Sequence, residues 1–352
     1  MKRLIYILVL FLPFLTGCHK NDSAYVVGFY NLENLFDTVH DEGKNDFAYL
    51  PGGSNAWTEE RYRIKLHSMA EAIEAMAKEN GRFHAVLGVA EIENDHVLQD
   101  LVAQPELIPA GYRFIHYEGP DGRGIDVALL YRPEDFRVLE SRALPYNFDS
   151  DIVFDYTPEE QRSFRTRDVL MVRGEFAGEP FAFLVAHLPS RQNGKGGELR
   201  SRGAEIMYDE ARRLEREHPG IKIVVMGDMN DDPTDESMVR YMHSEEDVTD
   251  VQDGEFFSPF LSMIKNGYGT LEYRGAWNIF DIILVNDEVV NDAEGLRIQK
   301  IEAGRFYGRV FNSPLLTQQD GEFAGTPKRT FSRGKFIGGY SDHYPTFIVL
   351  SK

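Results

Sequence analysis

The sequence predicts an α/β protein that folds as a four-layer α/β/β/α sandwich of two mainly antiparallel sheets. Strand-like apolar runs fall into two groups along the chain, and segments with helical periodicity are interposed in each group. This order indicates two sheets that pack face to face, with the helices covering their outer faces. The chain has no internal repeat and no low-complexity segment, and residues 25–352 are predicted to form a single domain.

In the first group, Tyr25–Asn31 is a predicted strand, and Thr58 then supplies the N-cap of a helix. The apolar residues of that helix recur at helical spacing, and the helix is expected to end at Asn80-Gly81. A shorter helix is predicted over Asn94–Ala103. Apolar runs bounded by turn residues are typical of strands. These runs are His84–Val89, Tyr112–Tyr117, Ile125–Arg132 and Phe136–Leu144.

In the second group, Val169–Phe176 and Phe181–His187 are predicted to form a hairpin. Gly178-Glu179-Pro180 breaks the apolar pattern between them and is typical of a turn. Glu198–Glu217 is a predicted helix, which Pro219-Gly220 ends. The remaining predicted strands are Ile221–Met226, Trp277–Val285 and Thr346–Leu350.

Two segments, 146–167 and 286–339, lack clear periodicity. Long stretches without periodicity inside a domain are usually functional loops, so we expect both to be surface insertions near the mouth of the site. The second segment contains Phe306, Tyr307 and Phe311, which could contact a membrane if exposed. Packing of these aromatic residues under the long loop is the favoured interpretation.

The first residues of the chain have the features of an export signal. A basic Lys2-Arg3 pair precedes a short apolar run, well below the ~20 residues needed to span a bilayer. Leu15-Thr16-Gly17-Cys18 resembles a bacterial lipoprotein box, so residues 1–17 are a predicted signal peptide and Cys18 a predicted lipidation site. Residues 18–24 would tether the protein to a membrane of the cell envelope, facing the periplasm or the surface. A plain secretory signal with an incidental cysteine is the alternative.

Composition bears on both stability and partners. Cys18 is the only cysteine, so no disulfide is expected and the core must supply the stability. The formal net charge is −19 over 352 residues. Such a charge repels polyanions at long range and disfavours non-specific nucleic-acid binding unless basic residues gather at the site. The arginines that could form such a lining are Arg123, Arg162, Arg165, Arg167 and Arg191.

Two short motifs place polar side chains at the ends of apolar strands. Gly227-Asp228-Met229-Asn230 follows one strand, and Ser341-Asp342-His343-Tyr344-Pro345 precedes the last one. A rigid strand can hold such groups in place. Carboxylate, amide and imidazole groups are what a hard divalent cation and an activated water require. Together the two motifs point to metal-assisted hydrolysis of phosphate esters.

Further candidate groups lie at other strand ends. Asn31 and Glu91 offer oxygen ligands, His187 ends an apolar run, and Arg123 lies in a glycine-flanked turn. Each also has an ordinary structural interpretation. Asn31 could be a turn residue, and Glu91 could be an acid at a helix N-terminus. His187 could be a structural histidine, and Arg123 could be a solvated surface charge. Arg191, just beyond His187, is a further candidate for phosphate binding.

Asp281 is predicted to lie inside an apolar strand, where an unpaired carboxylate would be very costly. It therefore needs a close partner, and the imidazole of His343 is the best candidate. A paired carboxylate would set the tautomer of the imidazole and favour its charged form.

These motifs, in this order, resemble those of the endonuclease/exonuclease/phosphatase superfamily, which has the deoxyribonuclease-I-like fold. The resemblance extends from about residue 25 to 350. It implies that Asn31, Glu91 and Asp342 bind a divalent cation, Mg²⁺ or Mn²⁺. It also implies that His187 occupies a position facing the phosphate.

The same resemblance assigns the remaining roles. It implies that Asp228 and Asn230 orient or activate the nucleophile and bind the phosphate, and that His343 and Asp281 form the orienting pair. Asp228 is the candidate general base, with His343 as the competing assignment.

The leading functional hypothesis is a Mg²⁺-dependent phosphodiesterase, an endonuclease that acts on nucleic acid outside the cytoplasm. The alternative is a phosphatase or phosphodiesterase for small or lipid phosphates, of the inositol phosphate or sphingomyelin type. A third class is a binding module that keeps the fold without the activity. We expect a monomer that contacts the membrane through its N-terminal lipid anchor.

Overall fold

A computed structural model describes residues 24–153, 156–191, 196–273, 275–301 and 304–352. The predicted signal peptide 1–17, Cys18 and nearly all of the predicted tether 18–24 lie outside the described residues. Within the described ranges, no helix is both long enough and apolar enough to cross a lipid bilayer.

The helices begin and end at residues with the expected capping chemistry. The Thr58 hydroxyl accepts the backbone N–H of Arg61, and Gly81, with φ of 69°, ends the same helix, as predicted. Asn94 caps the next helix by accepting two backbone N–H groups. The helices are α1 (Glu59–Asn80), α2 (Asp95–Val102), α3 (Pro158–Ser163), α4 (Gly196–Glu217), α5 (Pro259–Lys265) and α6 (Asp287–Asn291).

The strands alternate with these helices along the chain. They are β1 (Tyr25–Leu35), β2 (Val86–Ile92), β3 (Arg113–His116), β4 (Asp126–Tyr131), β5 (Phe136–Leu144), β6 (Val169–Phe176), β7 (Glu179–His187), β8 (Lys222–Asp228), β9 (Ser244–Glu245), β10 (Phe256–Phe257), β11 (Leu271–Tyr273), β12 (Ala276–Asn278), β13 (Asp281–Asn286), β14 (Arg297–Gln299), β15 (Gly308–Val310), β16 (Phe331–Ser332), β17 (Lys335–Phe336) and β18 (Thr346–Ser351).

Two large sheets form from these strands. The first sheet has the order β14-β18-β1-β2-β4-β3, with β15 also paired to β18, and the second has the order β5-β6-β7-β8-β13-β10-β9. The pairs β1–β2, β7–β8 and β9–β10 are parallel, and the other pairs in both sheets are antiparallel. The predicted sandwich of two mainly antiparallel sheets is therefore confirmed.

The two sheets pack face to face, and helices cover their outer faces. β1, β2 and β4 of the first sheet contact β6, β7, β8 and β13 of the second. The sheets approach closely at Gly88, where an added Cβ would lie 2.6 Å from the sulfur of Met226. α1 and α2 contact the first sheet, and α5 and α6 contact the second. The Arg142–Glu210 ion pair ties α4 to β5. The predicted four layers follow from this arrangement.

The predicted strand Trp277–Val285 is in fact two strands. β12 pairs with β11 in a separate hairpin, whereas β13 begins at Asp281 and pairs with β8. The chain turns between them at Ile279, whose backbone N–H donates to the carboxylate of Asp232 at 2.8 Å. Asp281 is thus the first residue of a strand, at the edge of the core rather than inside a longer apolar run.

The prediction of one surface insertion over 286–339 is also wrong for part of that segment. β14 and β15 pair with β18 and complete the first sheet, and α6 covers the second. Each of these two strands has three residues, too few to produce a readable alternation in sequence. Residues 311–339, with the β16–β17 hairpin, lie outside both large sheets.

The aromatic residues that could have contacted a membrane are packed inside the protein. Phe306 and Phe311 are buried, and Tyr307 packs against the main core. The packing interpretation is therefore confirmed. The aromatic residues of segment 146–167 pack in a separate place. Tyr156 and its aromatic neighbours form a small second cluster with Leu199.

Candidate active site

The register of the second sheet brings together acidic and imidazole side chains from strands that are distant in sequence. His187 is the partner of Asp228 in the β7–β8 pair, and Asp281 is the partner of Asp228 in the β8–β13 pair. Three chemically active residues therefore stand side by side at one end of this sheet. All three are buried.

The first sheet contributes its groups at the same end of the sandwich. Asn31 of β1 is the register partner of Ala90 of β2, so Asn31 and Glu91 lie close together on neighbouring parallel strands. β1 continues to Leu35 rather than ending at Asn31 as predicted. The Asn31 amide Nδ2 donates to Asp228 Oδ2 at 2.9 Å and thereby joins the two sheets. Glu91 Oε2 accepts the backbone N–H of Asn34 at 2.9 Å, while its Oε1 lies 3.8 Å from His187 Nε2.

The backbone is strained at this end of the sandwich. Glu33, Asn34, Glu91 and Asn230 have φ values of 48°, 56°, 61° and 50°, a left-handed region that L residues other than glycine seldom adopt. β1 also shifts its register against β2 after Asn31. Strained backbone persists only where surrounding contacts impose it, and it concentrates at functional sites.

Asp281 and His343 form the contact expected from the sequence. His343 Nδ1 lies 2.7 Å from Asp281 Oδ2, and Asp281 is fully buried. The Ser341 hydroxyl donates to the Asn31 carbonyl at 2.7 Å and accepts the backbone N–H of His343 at 3.1 Å. The other ring nitrogen of His343, Nε2, lies 3.8 Å from Asp228 Oδ2 and 3.9 Å from Asp342 Oδ1.

The two histidines of the site have opposite preferences for a proton. Burial by itself would lower the pKa of His343, but the carboxylates of Asp281 and Asp228 outweigh it and raise the pKa well above its ordinary value. Burial, together with the positive charges of Arg167 and Arg123, lowers the pKa of His187 well below its ordinary value. At neutral pH we therefore expect His343 to be charged and His187 to be neutral.

The carboxylates of the site suit a hard cation. Burial and the nearby Asp281 raise the pKa of Asp228 to about 7, and burial and Asp342 raise the pKa of Glu33 to about 7. These raised pKa values show that the carboxylates are buried close together without enough positive charge near them. A divalent cation would supply that charge. The oxygens of Asn31 and Glu91 belong to the same ligand class. In the described parts of the chain, no three carboxylate, imidazole or thiolate groups already converge as a metal-binding cluster.

Asn230 and Asp342 both border this cluster, the first next to Asp228 and the second next to His343. Asn230 donates its backbone N–H to Asp228 Oδ1 at 2.9 Å and its side-chain Nδ2–H to the Leu188 carbonyl at 3.0 Å. Asp342 is more exposed, and its Oδ2 accepts from Arg329 Nη2 at 3.2 Å. Both residues are thus positioned at the cluster that the sequence predicted around Asp228.

A buried ion pair beneath the cluster was missed by the sequence reasoning. Lys65 on α1 is fully buried and lies 3.9 Å from Glu33 Oε2, and it also donates to the Thr330 hydroxyl at 2.7 Å. The backbone N–H of Thr330 donates to Glu33 at 2.6 Å. In the sequence, Lys65 lies four residues before Met69 and therefore on the apolar face of the predicted helix. This position was the only feature of the sequence that indicated its burial.

The two arginines predicted to bind substrate differ in their surroundings. Arg123 is half exposed, and its Nε lies 3.8 Å from Asp121 Oδ1. Arg191 donates to the Asn230 carbonyl at 2.9 Å, to Asp232 at 3.2 Å and to Asp235 at 2.7 Å. These contacts engage the Arg191 guanidinium within the protein, where it holds the loop that follows β8.

Arg167, one of the arginines of the predicted basic lining, is buried next to the site. Its Nη2 donates to the Leu188 carbonyl at 2.8 Å, and its Nη1 lies 3.4 Å from Asp121 Oδ2. Arg165, by contrast, is exposed and donates to the carbonyls of Arg162 and Phe164. The predicted basic lining therefore combines the buried Arg167 with exposed arginines.

A cavity of about 770 Å³ opens beside Asp342, and we refer to it as the Asp342 cavity. Its walls are the β11–β12 hairpin, the loop over residues 318–327 and the β16–β17 hairpin with the residues next to it. All three walls come from segments outside the two large sheets. The cavity is therefore built outside the sandwich. Asp342, which lines the cavity, also lies next to His343 of the cluster around Asp228.

Comparisons with known proteins agree with this architecture. The sequence profile of the Endonuclease/Exonuclease/phosphatase family matches residues 26–352. A family protein from Bacteroides thetaiotaomicron has 17% identity and a TM-score of 0.55, covering 93% of this chain and 98% of that one. The mannosyl-6-phosphatase of Bacteroides thetaiotaomicron VPI-5482 has 17% identity and a TM-score of 0.54, covering 93% and 100%. The human nocturnin catalytic domain has 16% identity and a TM-score of 0.52, covering 93% and 94%. At these identities the likeness shows the fold alone.

One curated protein matches a shorter stretch. The lipid-A-disaccharide synthase of Pseudomonas fluorescens (strain SBW25) is 27% identical over 137 residues, which are 36% of this chain and 33% of that protein. The chain thus spans about a third of the length of this relative.

Proposed function

This chain belongs to the endonuclease/exonuclease/phosphatase family, and we propose that it hydrolyses phosphate esters with the help of a divalent metal. The observation that carries the proposal is the meeting of Asn31, Asp228 and the Asp281–His343 pair at one end of the sandwich. These groups come from both sheets and are joined by hydrogen bonds, so they form one cluster rather than separate strand ends.

The metal ligands in this proposal are Asn31, Glu91 and Asp342, which would hold Mg²⁺ or Mn²⁺. The cation would neutralise charge on the non-bridging phosphate oxygens. The oxygen-only donor set, with no thiolate, favours these hard cations over softer ones.

In this proposal His343 acts as a hydrogen-bond donor to the phosphate, and Asp228 acts as the general base. His343 lies between the carboxylates of Asp281 and Asp228, which keep its ring charged, so its Nε2–H donates to the phosphate. Asp228 then remains as the general base for the attacking water. The two oxygens of Asp228 accept from Asn31 and from the backbone of Asn230, and these bonds fix its orientation.

His187 and the arginines complete the phosphate site. His187 faces the cluster with its Nε2, which lies 3.6 Å from Asp228 Oδ2 and 3.8 Å from Glu91 Oε1, and we assign this nitrogen to a phosphate oxygen. Arg123 is exposed enough to reach a bound phosphate. We assign Arg191 a positioning role through its contact with Asn230 rather than direct contact with substrate.

A small phosphate ester is the substrate class that these contacts support best. The net charge is −19 and the Arg191 guanidinium is engaged by acids, so the electrostatics of the chain disfavour a polyanion. Nucleic acid, the first expectation from the sequence, becomes the second candidate. The exposed Arg123 beside the buried Arg167 is the observation that favours it.

The metal proposal is tested by binding as well as by activity. Glu91→Gln keeps an acceptor for the Asn34 N–H but removes the ligand charge, so we expect Mn²⁺ affinity, measured by calorimetry, to fall at least about tenfold. Glu60→Gln on the exposed first turn of α1 is the matched control and should bind Mn²⁺ like the wild type. Full ester hydrolysis after exhaustive treatment with EDTA would overturn the metal requirement.

A location in the cell envelope is proposed from the sequence around Cys18 alone. The mature protein should partition with membranes and become soluble when Cys18→Ala removes the lipidation site. Recovery of wild-type protein in the soluble fraction with an unmodified N-terminus would contradict this proposal.

A further inference from the structure

The walls of the Asp342 cavity are tied to the catalytic pair through Tyr344, the residue after His343. The Tyr344 ring stacks on Trp277 of β12 with centroids 6.1 Å apart, and its backbone N–H donates to the Thr270 carbonyl at 2.7 Å. The Tyr344 hydroxyl bonds to the Thr317 hydroxyl at 2.8 Å and to the Gly325 carbonyl at 3.4 Å. One residue therefore joins two walls of the cavity to the chain segment that carries His343.

The cavity presents apolar surface to solvent. Tyr273, Phe323 and Ile337 line it and are 60%, 41% and 40% exposed, although most large apolar residues of this protein are buried. Exposed apolar side chains gathered at one concave surface are typical of a ligand site. Aromatic rings in such a wall can pack against the C–H face of a ring in a ligand.

Among the described residues that line the cavity, the charged groups are mostly acidic. Its described lining contains four carboxylates, on Glu272, Asp320, Glu322 and Asp342, against two guanidinium groups, on Arg329 and Arg333. Each arginine already pairs with an acid, Arg329 with Asp342 and Arg333 with Glu322. The remaining carboxylates repel a second phosphate but accept hydrogen bonds from hydroxyl groups.

We propose that the Asp342 cavity holds the uncharged, polyhydroxylated leaving group of a phosphate ester, such as the ring of a sugar phosphate. This inference rests on the proposed phosphoesterase function. Tyr273 and Phe323 contact the ring faces, Glu272 and Asp320 accept from its hydroxyl groups, and the phosphate lies at the cluster around Asp228. The bond between phosphorus and the ester oxygen breaks, water supplies the new oxygen on phosphorus, and the leaving oxygen takes a proton to become the sugar hydroxyl.

A pair of substrates with matched intrinsic reactivity tests this inference. Hexose 6-phosphate and ethyl phosphate are both primary alkyl esters, but only the first has a ring to place in the cavity. We expect kcat/KM with Mg²⁺ to be at least about a hundredfold higher for the hexose ester. A hexose 1,6-bisphosphate should be a poorer substrate than the monophosphate because its second phosphate meets the acidic wall.

Variants of the cavity sharpen the kinetic test. Phe323→Ala and Glu272→Gln should each lower kcat/KM for the hexose ester about tenfold and leave the value for ethyl phosphate unchanged. Tyr117→Ala, which removes another exposed aromatic ring outside the cavity, is the matched control and should change neither value. Equal kcat/KM for the two esters, or equal loss on both in the cavity variants, would overturn the inference while leaving the phosphoesterase proposal intact.

A binding measurement separates this inference from the proposed function. Saturation-transfer NMR of hexose 6-phosphate on EDTA-treated protein needs no turnover. Magnetisation should reach the ring C–H protons equally in the wild type and in Tyr117→Ala, and much more weakly in Phe323→Ala. Absence of transfer in the wild type refutes the subsite. Failure of every ester to be hydrolysed, with ring contacts present, refutes the phosphoesterase proposal instead. Cleavage of an oligonucleotide in preference to the hexose ester also refutes the subsite.

Discussion

Two buried histidines, one in the core of the sandwich and one at its active end, show what decides the charge of the same side chain. His84 precedes β2, touches the ring of Phe347, and neither ring nitrogen has a hydrogen-bond partner among the described residues. Burial alone lowers its pKa to about 3. His343 is nearly as buried, but two carboxylates raise its pKa. Burial removes the charge of an isolated imidazole, and paired acids restore it.

The two regions also differ in how their backbone is arranged. Around His84 the close fit is achieved by Gly28, where an added Cβ would lie 2.7 Å from the imidazole Cδ2. At the active end, non-glycine residues such as Glu91 and Asn230 adopt left-handed φ values. Around His84 a glycine thus allows close packing without backbone strain. At the active end the backbone is strained, and the surrounding hydrogen bonds must stabilise this conformation.

The largest effect expected from this comparison concerns the Asp281–His343 pair. Asp281→Asn and His343→Ala should each slow turnover by a factor on the order of 10² or more, because each removes the charged donor near the phosphate. The double variant should lose little beyond the worse single variant, since residues that act as a unit are not additive. Steady-state kinetics at saturating Mg²⁺ measures all four forms.

A control for that experiment comes from the other region. His84→Leu removes a buried imidazole that is not paired with an acid and leaves the Asp281–His343 pair in place. It should therefore leave turnover unchanged. If the losses from Asp281→Asn and His343→Ala multiply independently, the two residues do not act as a pair and the assignment of the site is wrong there.

The second effect concerns stability in acid and belongs to His84. Its folded pKa of about 3 lies below the ordinary value of 6.5, so the unfolded chain takes up a proton at higher pH than the folded protein does. Stability from this residue is therefore intact above pH 6.5 and falls as the pH drops from 6.5 towards 3. Between pH 7.5 and pH 5 the loss should be about 2 kcal/mol.

Urea unfolding of the wild type and His84→Leu at both pH values measures this loss. Other groups titrate in both proteins, so the informative quantity is the difference between the two changes in the free energy of unfolding. We expect the wild type to lose about 2 kcal/mol more than the variant. Identical changes would mean that His84 finds a partner or solvent in the folded protein.

The smallest of the three effects concerns Ser341, whose hydroxyl links Asn31 to the backbone of His343. Ser341→Ala should lower turnover about tenfold and the free energy of unfolding by about 1 kcal/mol, because a buried carbonyl loses its donor. Ser244→Ala is the control, since the buried Ser244 hydroxyl has no hydrogen-bond partner among the described residues. Equal kinetics in the two variants would show that the Ser341 link does not position His343.

Much of the architecture could be read from local patterns. The cap at Thr58, the stop at Gly81 and the alternation of apolar runs with turns predicted α1 and most strands, because these signals depend on neighbouring residues only. The strand ends that carry His187 and Asp228 were located for the same reason, whereas β1 continues beyond the predicted end at Asn31 to Leu35. The three-residue strands β14 and β15 were not, because they have no pattern of their own and exist only through pairing with β18.

The sequence by itself determined which side chains were available to the site and the strand ends that most of them occupy. The tertiary structure decided which of them meet. Asn31 and Asp228 are 197 residues apart and touch only because the packed sheets bring β1 and β8 together. Asp281 looked like an interior strand residue until the turn at Ile279 placed it at a strand start opposite Asp228. The charges were decided there as well, since the pKa of a buried group depends on burial and on neighbours that only the fold supplies.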